Sequence, residues 1–249
     1  MTLTDSEAPK IRLQVFLSRN GVSSRRDAMK IIQQGQVTVN GKVTTEPSTP
    51  VDPDKDAIKV YGKLVLKKEF LYVLMNKPAG YMTTTDDPHA EHIVFELLPK
   101  SFKHLMPVGR LDKDTEGLLL FTNDGDLAEH LTHPRFSIKK TYLARIKGSL
   151  EKEERLRLET GIFVEGRKTA PAHVKILKLT PRETQCTIEI KEGRKRQIRI
   201  MFAKVGHPVV HLKRIALGPI RADDLERGQW RFLRNEEVKK LKQIENQLI

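Results

Sequence analysis

The sequence predicts an α+β protein in two parts, a small basic N-terminal unit and a larger part built on a mixed, largely antiparallel sheet with flanking helices. Three observations carry this reading. The texture changes near residue 69, from short helical and hairpin patterns to strand-length apolar runs with long segments between them. Those runs mix with helical patterns without the strict alternation of a parallel α/β fold. The 249 residues, 38% hydrophobic and 31% charged, exceed what one domain usually needs and suffice for a sizeable core plus a small module.

Within the first part, Leu13, Phe16 and Leu17 have the i, i+3, i+4 spacing of one helix face over Ile11–Asn20, and Gly21 stops it. Ser24 with Asp27 three residues on reads as an N-cap and its acidic partner. The helix that follows buries Ala28, Ile31 and Ile32 and ends at Gly35. Val37 and Val39, the turn dipeptide Asn40-Gly41, then Val43 spell a tight hairpin. Residues 46–57, rich in proline and aspartate, read as loop, and Ile58–Val60 could close the unit. The expected boundaries are a flexible terminus over 1–10, a small basic unit over 11–62, a linker over 63–69 and the main part over 70–249.

The main part begins with a buried strand, Phe70–Met75, a turn at Asn76-Lys77-Pro78-Ala79-Gly80, and a second extended run, Tyr81–Thr85. Leu118–Thr122 reads as a strand, and Asp124 as the cap of a helix through about His130. Thr141–Lys147, His173–Leu179 and Thr184–Lys191 are further strands, with a helix at Glu151–Glu159. Ile198, Met201, Phe202 and Val205 share a helix face that Gly206 ends, and Asn235–Leu248 is a charged amphipathic helix.

The net charge of +13 favours a polyanionic partner, nucleic acid or an anionic membrane surface. The longest apolar runs are strand-length, far short of a ~20-residue membrane span. The first ten residues lack the basic region and apolar stretch of a signal peptide, so a cytoplasmic location is expected. A lone cysteine, Cys186, excludes an intrachain disulfide and reads as a small core residue. The eight histidines show no metal-binding spacing beyond the weak pair His130 and His133. Neither a GxxxxGK[ST] loop nor a GxGxxG after a strand occurs, so neither a metal nor a nucleotide cofactor is expected.

Two charged stretches stand out. Gly109-Arg110-Leu111-Asp112-Lys113-Asp114-Thr115-Glu116-Gly117 enters an apolar strand with glycine at each end, which lets backbone approach a ligand closely. By residue type alone it is either a catalytic loop or a solvated turn in which Asp114 bonds local N–H groups. Lys191-Glu192-Gly193-Arg194-Lys195-Arg196-Gln197-Ile198-Arg199 places five cations at the mouth of a helix. It is either a phosphate site or a solvated basic face. A third group, Arg12, Arg19, Arg25, Arg26, Lys30 and Lys42, faces a single acidic residue between Ile11 and Thr45, a plausible grip on RNA.

These stretches resemble a known family. Pro107-Val108-Gly109-Arg110-Leu111-Asp112, continuing through Thr115, Gly117-Leu118-Leu119 and Thr122-Asn123-Asp124-Gly125, is similar to the catalytic signature of the ribosomal-RNA pseudouridine synthases. That family is typified by the bacterial small-subunit enzyme and its large-subunit relative of type B. Asn76-Lys77-Pro78-Ala79-Gly80, Lys140-Thr141-Tyr142, Glu192-Gly193-Arg194 through Arg199, and Leu212-Lys213-Arg214 with Gly218-Pro219 resemble its other motifs. The N-terminal unit resembles the S4-like RNA-binding domain, named after ribosomal small-subunit protein four.

The resemblance implies conversion of uridine to pseudouridine in ribosomal RNA, free or in a pre-ribosomal particle, by a monomer without cofactor. It makes Asp112 the catalytic aspartate, Arg199 its ion-pair partner, and Tyr142 the ring that stacks on uracil and takes the C5 proton. Lys77 and Pro78 would shape the pocket, Ile198 and Leu212 form its apolar walls, and Arg110 occupy the place of the flipped nucleotide or hold its phosphate. Arg12, Arg25, Arg26, Lys30, Lys42, Arg194, Lys195, Arg196, Lys213 and Arg214 would contact RNA. Val15 departs from the family, whose small domain often has a basic residue there. The wording of Leu118–Gly125 and Leu212–Ile220 is closer to the large-subunit type, with the small-subunit type as the alternative. Other readings are an inactive RNA-binding protein of this fold, another uridine-modifying enzyme such as a methyltransferase, and a ribosomal structural protein.

Overall fold

The computed structural model describes residues 10–85 and 87–246, which fall into two compact units divided after Phe70. Most of the expected N-terminal tail, and residues 247–248 of the terminal helix, lie outside the described residues.

The first unit contains β1 (Ile11–Arg12), α1 (Leu13–Arg19), α2 (Arg25–Gln33), β2 (Val37–Val39), β3 (Lys42–Val43), β4 (Pro50–Val51), β5 (Ile58–Val60) and β6 (Lys63–Leu64). Its core is the face read from the periodicity: Leu13, Phe16 and Leu17 of α1 and Ala28 and Ile32 of α2 pack on Val37, Val51, Ile58 and Val60. Ser24 caps α2, its hydroxyl accepting the Asp27 N–H at 3.2 Å. Asn40 and Gly41 both have positive φ, the geometry of the tight hairpin turn their sequence announced.

The expected linker is corrected by the structure. Strands order as β3-β2-β5-β6, so Lys63 and Leu64 extend the small sheet. Beyond them the Val65 N–H donates to the Ile58 carbonyl at 2.8 Å and the Lys68 N–H to Asn20 Oδ1 at 2.6 Å. The turn that returns the chain is Tyr61-Gly62, both at positive φ. Tyrosine is uncommon in that conformation, so the hairpin gave little sequence signal.

The second unit contains β7 (Tyr72–Lys77), β8 (Met106–Pro107), β9 (Glu116–Thr122), α3 (Gly125–Thr132), β10 (Lys140–Lys147), α4 (Lys152–Thr160), β11 (Phe163–Val164), β12 (Arg167–Lys168), β13 (His173–Leu179), β14 (Glu183–Ile190), α5 (Gln197–Lys204), β15 (Val209–Leu217), β16 (Ile220–Arg221), β17 (Trp230–Phe232) and α6 (Asn235–Asn246). Its main sheet runs β13-β14-β10-β15-β9-β7-β17. All the pairs along it are antiparallel except β15 with β9. Helices cover both faces. On one, Leu158 of α4 and Ile198, Met201 and Phe202 of α5 pack over Leu119, Phe121, Ala144 and Ile188. On the other, Leu127 and Leu131 of α3 and Leu241 of α6 pack over Leu118 and Leu120. Strand β9 is therefore buried on both sides, which explains its unbroken apolar run. Asp124 joins three elements: its carboxylate caps α3 through the Leu127 N–H and accepts from Tyr72 Oη (2.8 Å) and Lys242 Nζ (2.6 Å).

The run Tyr81–Thr85 is not a strand. Among the described residues it makes one bridge, Met82 with Ile93, and its Thr83 hydroxyl bonds the backbone of Leu111. Among the described residues no helix is long and apolar enough to cross a membrane.

Candidate active site

The loop before β9 is held almost entirely by its backbone. The Thr115 N–H donates to the Asp112 carbonyl at 3.0 Å, closing a turn. Lys77, the last residue of β7, is fully buried and its ammonium donates to the carbonyls of Pro78 (3.0 Å), Asp112 (3.2 Å), Lys113 (3.3 Å) and Thr115 (2.9 Å). The Thr83 hydroxyl bonds both the N–H and the carbonyl of Leu111, and the Gly80 N–H reaches the Lys113 carbonyl. Burial pushes the Lys77 pKa down from its usual 10.5 to about 8, against the opposing pull of the Asp114, Asp112 and Glu116 carboxylates. Gly117 then lets the loop lie against β15. It has φ +104°, and a Cβ there would stand 2.2 Å from the Arg214 carbonyl oxygen.

This placement makes Asp112 one wall of a cleft open to solvent. The cleft brings together Asp112, Tyr142, Arg199, Arg110, Ile198 and Leu212, with Arg194 and Arg196 at its wall. Tyr142, on β10, is 8% exposed, and Ile198 and Leu212 are buried, so the cleft floor is apolar. Lys77 and Pro78 do not line it: Lys77 acts from behind the loop.

The arginines differ from expectation. Arg199 pairs with Asp114, not Asp112: its Nε lies 3.3 Å from Asp114 Oδ2 and one terminal nitrogen donates to the Asp114 carbonyl at 2.9 Å. Arg196 grips the same carboxylate with both terminal nitrogens, at 3.2 and 3.1 Å. The turn directs Asp114 toward the start of α5 and leaves the Asp112 carboxylate without an ion pair among the described residues. Burial alone would raise the Asp114 pKa, but the Arg196 hydrogen bonds and the two guanidinium charges hold it below the usual carboxylate value. Arg196 adopts a left-handed conformation, φ 50°, just before α5. Beside it, the Gln197 carboxamide accepts the Arg194 N–H and donates to Glu192, fixing the corner that carries Arg194.

Two further expectations change. Arg214 is 2% exposed and its Nε donates to the Leu118 carbonyl inside the protein, so it holds β15 to β9 and is not an RNA contact. Lys195 and Lys213 lie off the cleft wall. In the first unit Arg12, Arg25, Arg26, Lys30 and Lys42 are exposed, with Lys30 paired to Asp27 at 3.2 Å. Cys186 is fully buried, and burial pushes its thiol up to about 12, so it is inert core. Sequence reasoning missed Thr83 and Gln197, which position the loop and the corner, and the pairing of Asp114 with the arginines, for which it offered only local N–H groups as partners in the solvated-turn alternative. It also missed Glu116, whose buried carboxylate meets His211 Nε2 at 2.9 Å. An acidic residue starting an apolar strand was the available signal for that pair.

A loop-borne carboxylate beside a buried tyrosine, ringed by arginines over an apolar floor, suits a flat uncharged base on an anionic backbone. The RNA pseudouridylate synthase family matches residues 71–204, and the S4 domain matches residues 11–56. The chain belongs to the RNA pseudouridine synthases. It is similar to the ribosomal large subunit pseudouridine synthase B of Bacillus subtilis (strain 168), 42% identical over 94% of this chain and 96% of that protein. An uncharacterized RNA pseudouridine synthase of Aquifex aeolicus (strain VF5) is 38% identical over 93% of this chain and 94% of its own. The crystal structure of a pseudouridylate synthase superposes with a TM-score of 0.67 at 31% identity, covering 93% of this chain and 99% of that one. This pseudouridine synthase thus joins an N-terminal S4 domain to a catalytic fold on a mixed, largely antiparallel sheet, and it acts on RNA.

Proposed function

We propose that this pseudouridine synthase isomerises a uridine of large-subunit ribosomal RNA, with Asp112 as its essential carboxylate, working as a cytoplasmic monomer on the RNA or a pre-ribosomal particle. What supports the reading is that Asp112 and Tyr142 line one cleft, with Asp112 on a loop locked by Lys77 and its carboxylate without an ion pair among the described residues. The named activity of the Bacillus subtilis relative supports the choice of RNA.

The reaction breaks the N1–C1′ bond, turns the base and joins C5 to C1′; the C5 proton is lost to solvent and N1 gains one, so the product is an isomer of the substrate. Asp112 serves it as a nucleophile on base or sugar, or as a base on the sugar. Tyr142 stacks on uracil and stands where the C5 proton is lost. Arg110, exposed at the mouth, holds the flipped nucleotide's phosphate or fills its place. Arg199 and Arg194 supply positive potential along the backbone's path.

Tritium release from C5-labelled large-subunit RNA tests this. Wild type releases tritium, and Asp112→Asn releases none while still binding RNA, because phosphate contacts supply most of the affinity. Turnover by the variant would remove Asp112 from the chemistry. In cells lacking the protein, one pseudouridine should vanish from large-subunit RNA; a loss confined to small-subunit RNA would refute the substrate and leave the reaction standing.

A further inference from the structure

The hairpin β11–β12 displays an aromatic ring that folding does not require. Val164 is 1% exposed and anchors the hairpin in the core, yet its neighbour Phe163 is 64% exposed. Phe163 pairs across the hairpin with Lys168, and both are exposed, as is Arg167. A single exposed apolar residue is unremarkable on a protein surface. What distinguishes this one is the rigidity and position of its mount.

The tip, Glu165-Gly166, has two positive φ values, the tight turn that fixes hairpin register. At the base, Gly161 runs so close to Thr169 that a Cβ would stand 2.4 Å from its carbonyl oxygen. The Thr169 hydroxyl accepts the Ile162 N–H, and the Thr169 N–H donates to the Ile162 carbonyl. The hairpin is then fastened to the cleft wall. Arg194 donates to the carbonyls of Arg167 (3.0 Å) and Lys168 (2.8 Å), and Glu192, which pairs with Arg194, accepts the Ala170 N–H. One side chain, Arg194, therefore both lines the cleft and bonds the hairpin backbone. Orienting these two carbonyls toward Arg194 leaves the Arg167 and Lys168 side chains exposed.

An exposed ring on a stiff hairpin, with Lys168 on its own face, exposed Arg167 on the same hairpin and the cleft adjoining, has the chemistry of a stacking platform for single-stranded nucleic acid. The ring takes a base's face whatever its identity, and the cations track the backbone. We propose that Phe163, with Arg167 and Lys168, is a second RNA-binding site that stacks an unpaired base of the substrate strand close to the uridine in the cleft. The proposal rests on the reading that the cleft takes a uridine of RNA. It assigns the hairpin a substrate-gripping role outside the cleft, set at a fixed distance by Arg194.

The test uses the full chain and two probes, transcribed large-subunit RNA and a short oligouridylate in which one 2-aminopurine is moved along the strand. Wild type should quench 2-aminopurine at a defined position. Phe163→Ala should lose that quench and weaken binding of both probes about tenfold, within the ordinary range for loss of one base stack. Phe163→Tyr should keep both. An abasic site at the quenched position should weaken wild type equally and weaken Phe163→Ala no further, because the two changes remove the same stacking interaction. If Phe163→Ala binds and quenches like wild type, or the two losses simply add, the platform does not exist. Because neither readout needs turnover, Phe163-dependent quenching without tritium release would uphold the platform and defeat the proposed activity.

Discussion

Asp114→Asn separates positioning of the arginines from the chemistry at Asp112. The Asp114 carboxylate takes two N–H bonds from Arg196, at 3.2 and 3.1 Å, and lies 3.3 Å from Arg199 Nε. Its side chain is 46% exposed, so solvent screening leaves each pair about 0.5 kcal/mol. Two pairs make about 1 kcal/mol, a small part of the stability of a protein this size and equivalent to about a fivefold change in rate. Asparagine keeps the shape and one acceptor but loses the charge. The freed guanidiniums are then drawn to Asp112, whose carboxylate already acts on Arg196 beyond the stronger hydrogen bonds from Asp114. We therefore expect the tritium-release kcat to fall about fivefold and the melting temperature to drop by only about 2–4 °C. Combining Asp114→Asn with Arg196→Gln should cost less than the sum of the two. The folded carboxyl is held below its ordinary value, so its contribution is complete at neutral pH and disappears as pH falls through that lowered pKa. A kcat equal to wild type, or strict additivity in the double variant, would refute the positioning role.

Two further outcomes follow from the geometry. Lys77 has a folded pKa of about 8 against the usual 10.5, so between these values the unfolded chain binds more protons and stability rises with pH, by at most ~3 kcal/mol. Urea titrations of wild type and Lys77→Met across that window should show the rise only in wild type; parallel curves would mean that burial does not lower the Lys77 pKa. Replacing Arg25, Arg26 and Lys42 together by glutamine in the full chain should lower the log–log salt slope of RNA binding by roughly 2–3 units, ~0.7–0.9 for each phosphate no longer neutralised. An unchanged slope would make these exposed cations a solvated face.

The elements legible in the sequence were those whose signal is local. Ser24 with Asp27, Asn40-Gly41 and Asp124 each act on residues within four positions, and the structure shows each doing so. The buried faces of α1, α2 and α5 follow from spacing alone. What stayed hidden depends on partners distant in sequence. Trp230–Phe232 is too short to read as a strand and exists because it pairs with β7. Arg214 reads as an RNA contact by its place in the motif Leu212-Lys213-Arg214, and pairing of its strand on both sides, with β10 and with β9, buries it. For the site, the motifs located the loop and the helix mouth but not which carboxylate meets which arginine. That choice turns on two residues of reach, Asp112 against Asp114, within one tight turn. Lys77 was placed beside the pocket and stands behind it, because a buried lysine aimed at carbonyls leaves no pattern in composition.

The Lys77 ammonium, the Thr83 hydroxyl and the Gly80 amide all hold the loop from 111 to 115 by main-chain atoms. The shape of the reactive segment is thereby uncoupled from the identity of the side chains it carries. An Asp112 variant is then a blunted tool in an unaltered holder: it should seat its RNA in the geometry of the working enzyme and keep it there. The same separation leaves the outward positions, Lys113 among them, open to substitution without disturbing the carboxylate's aim, so a new preference for RNA sequence could be selected here without rebuilding the fold.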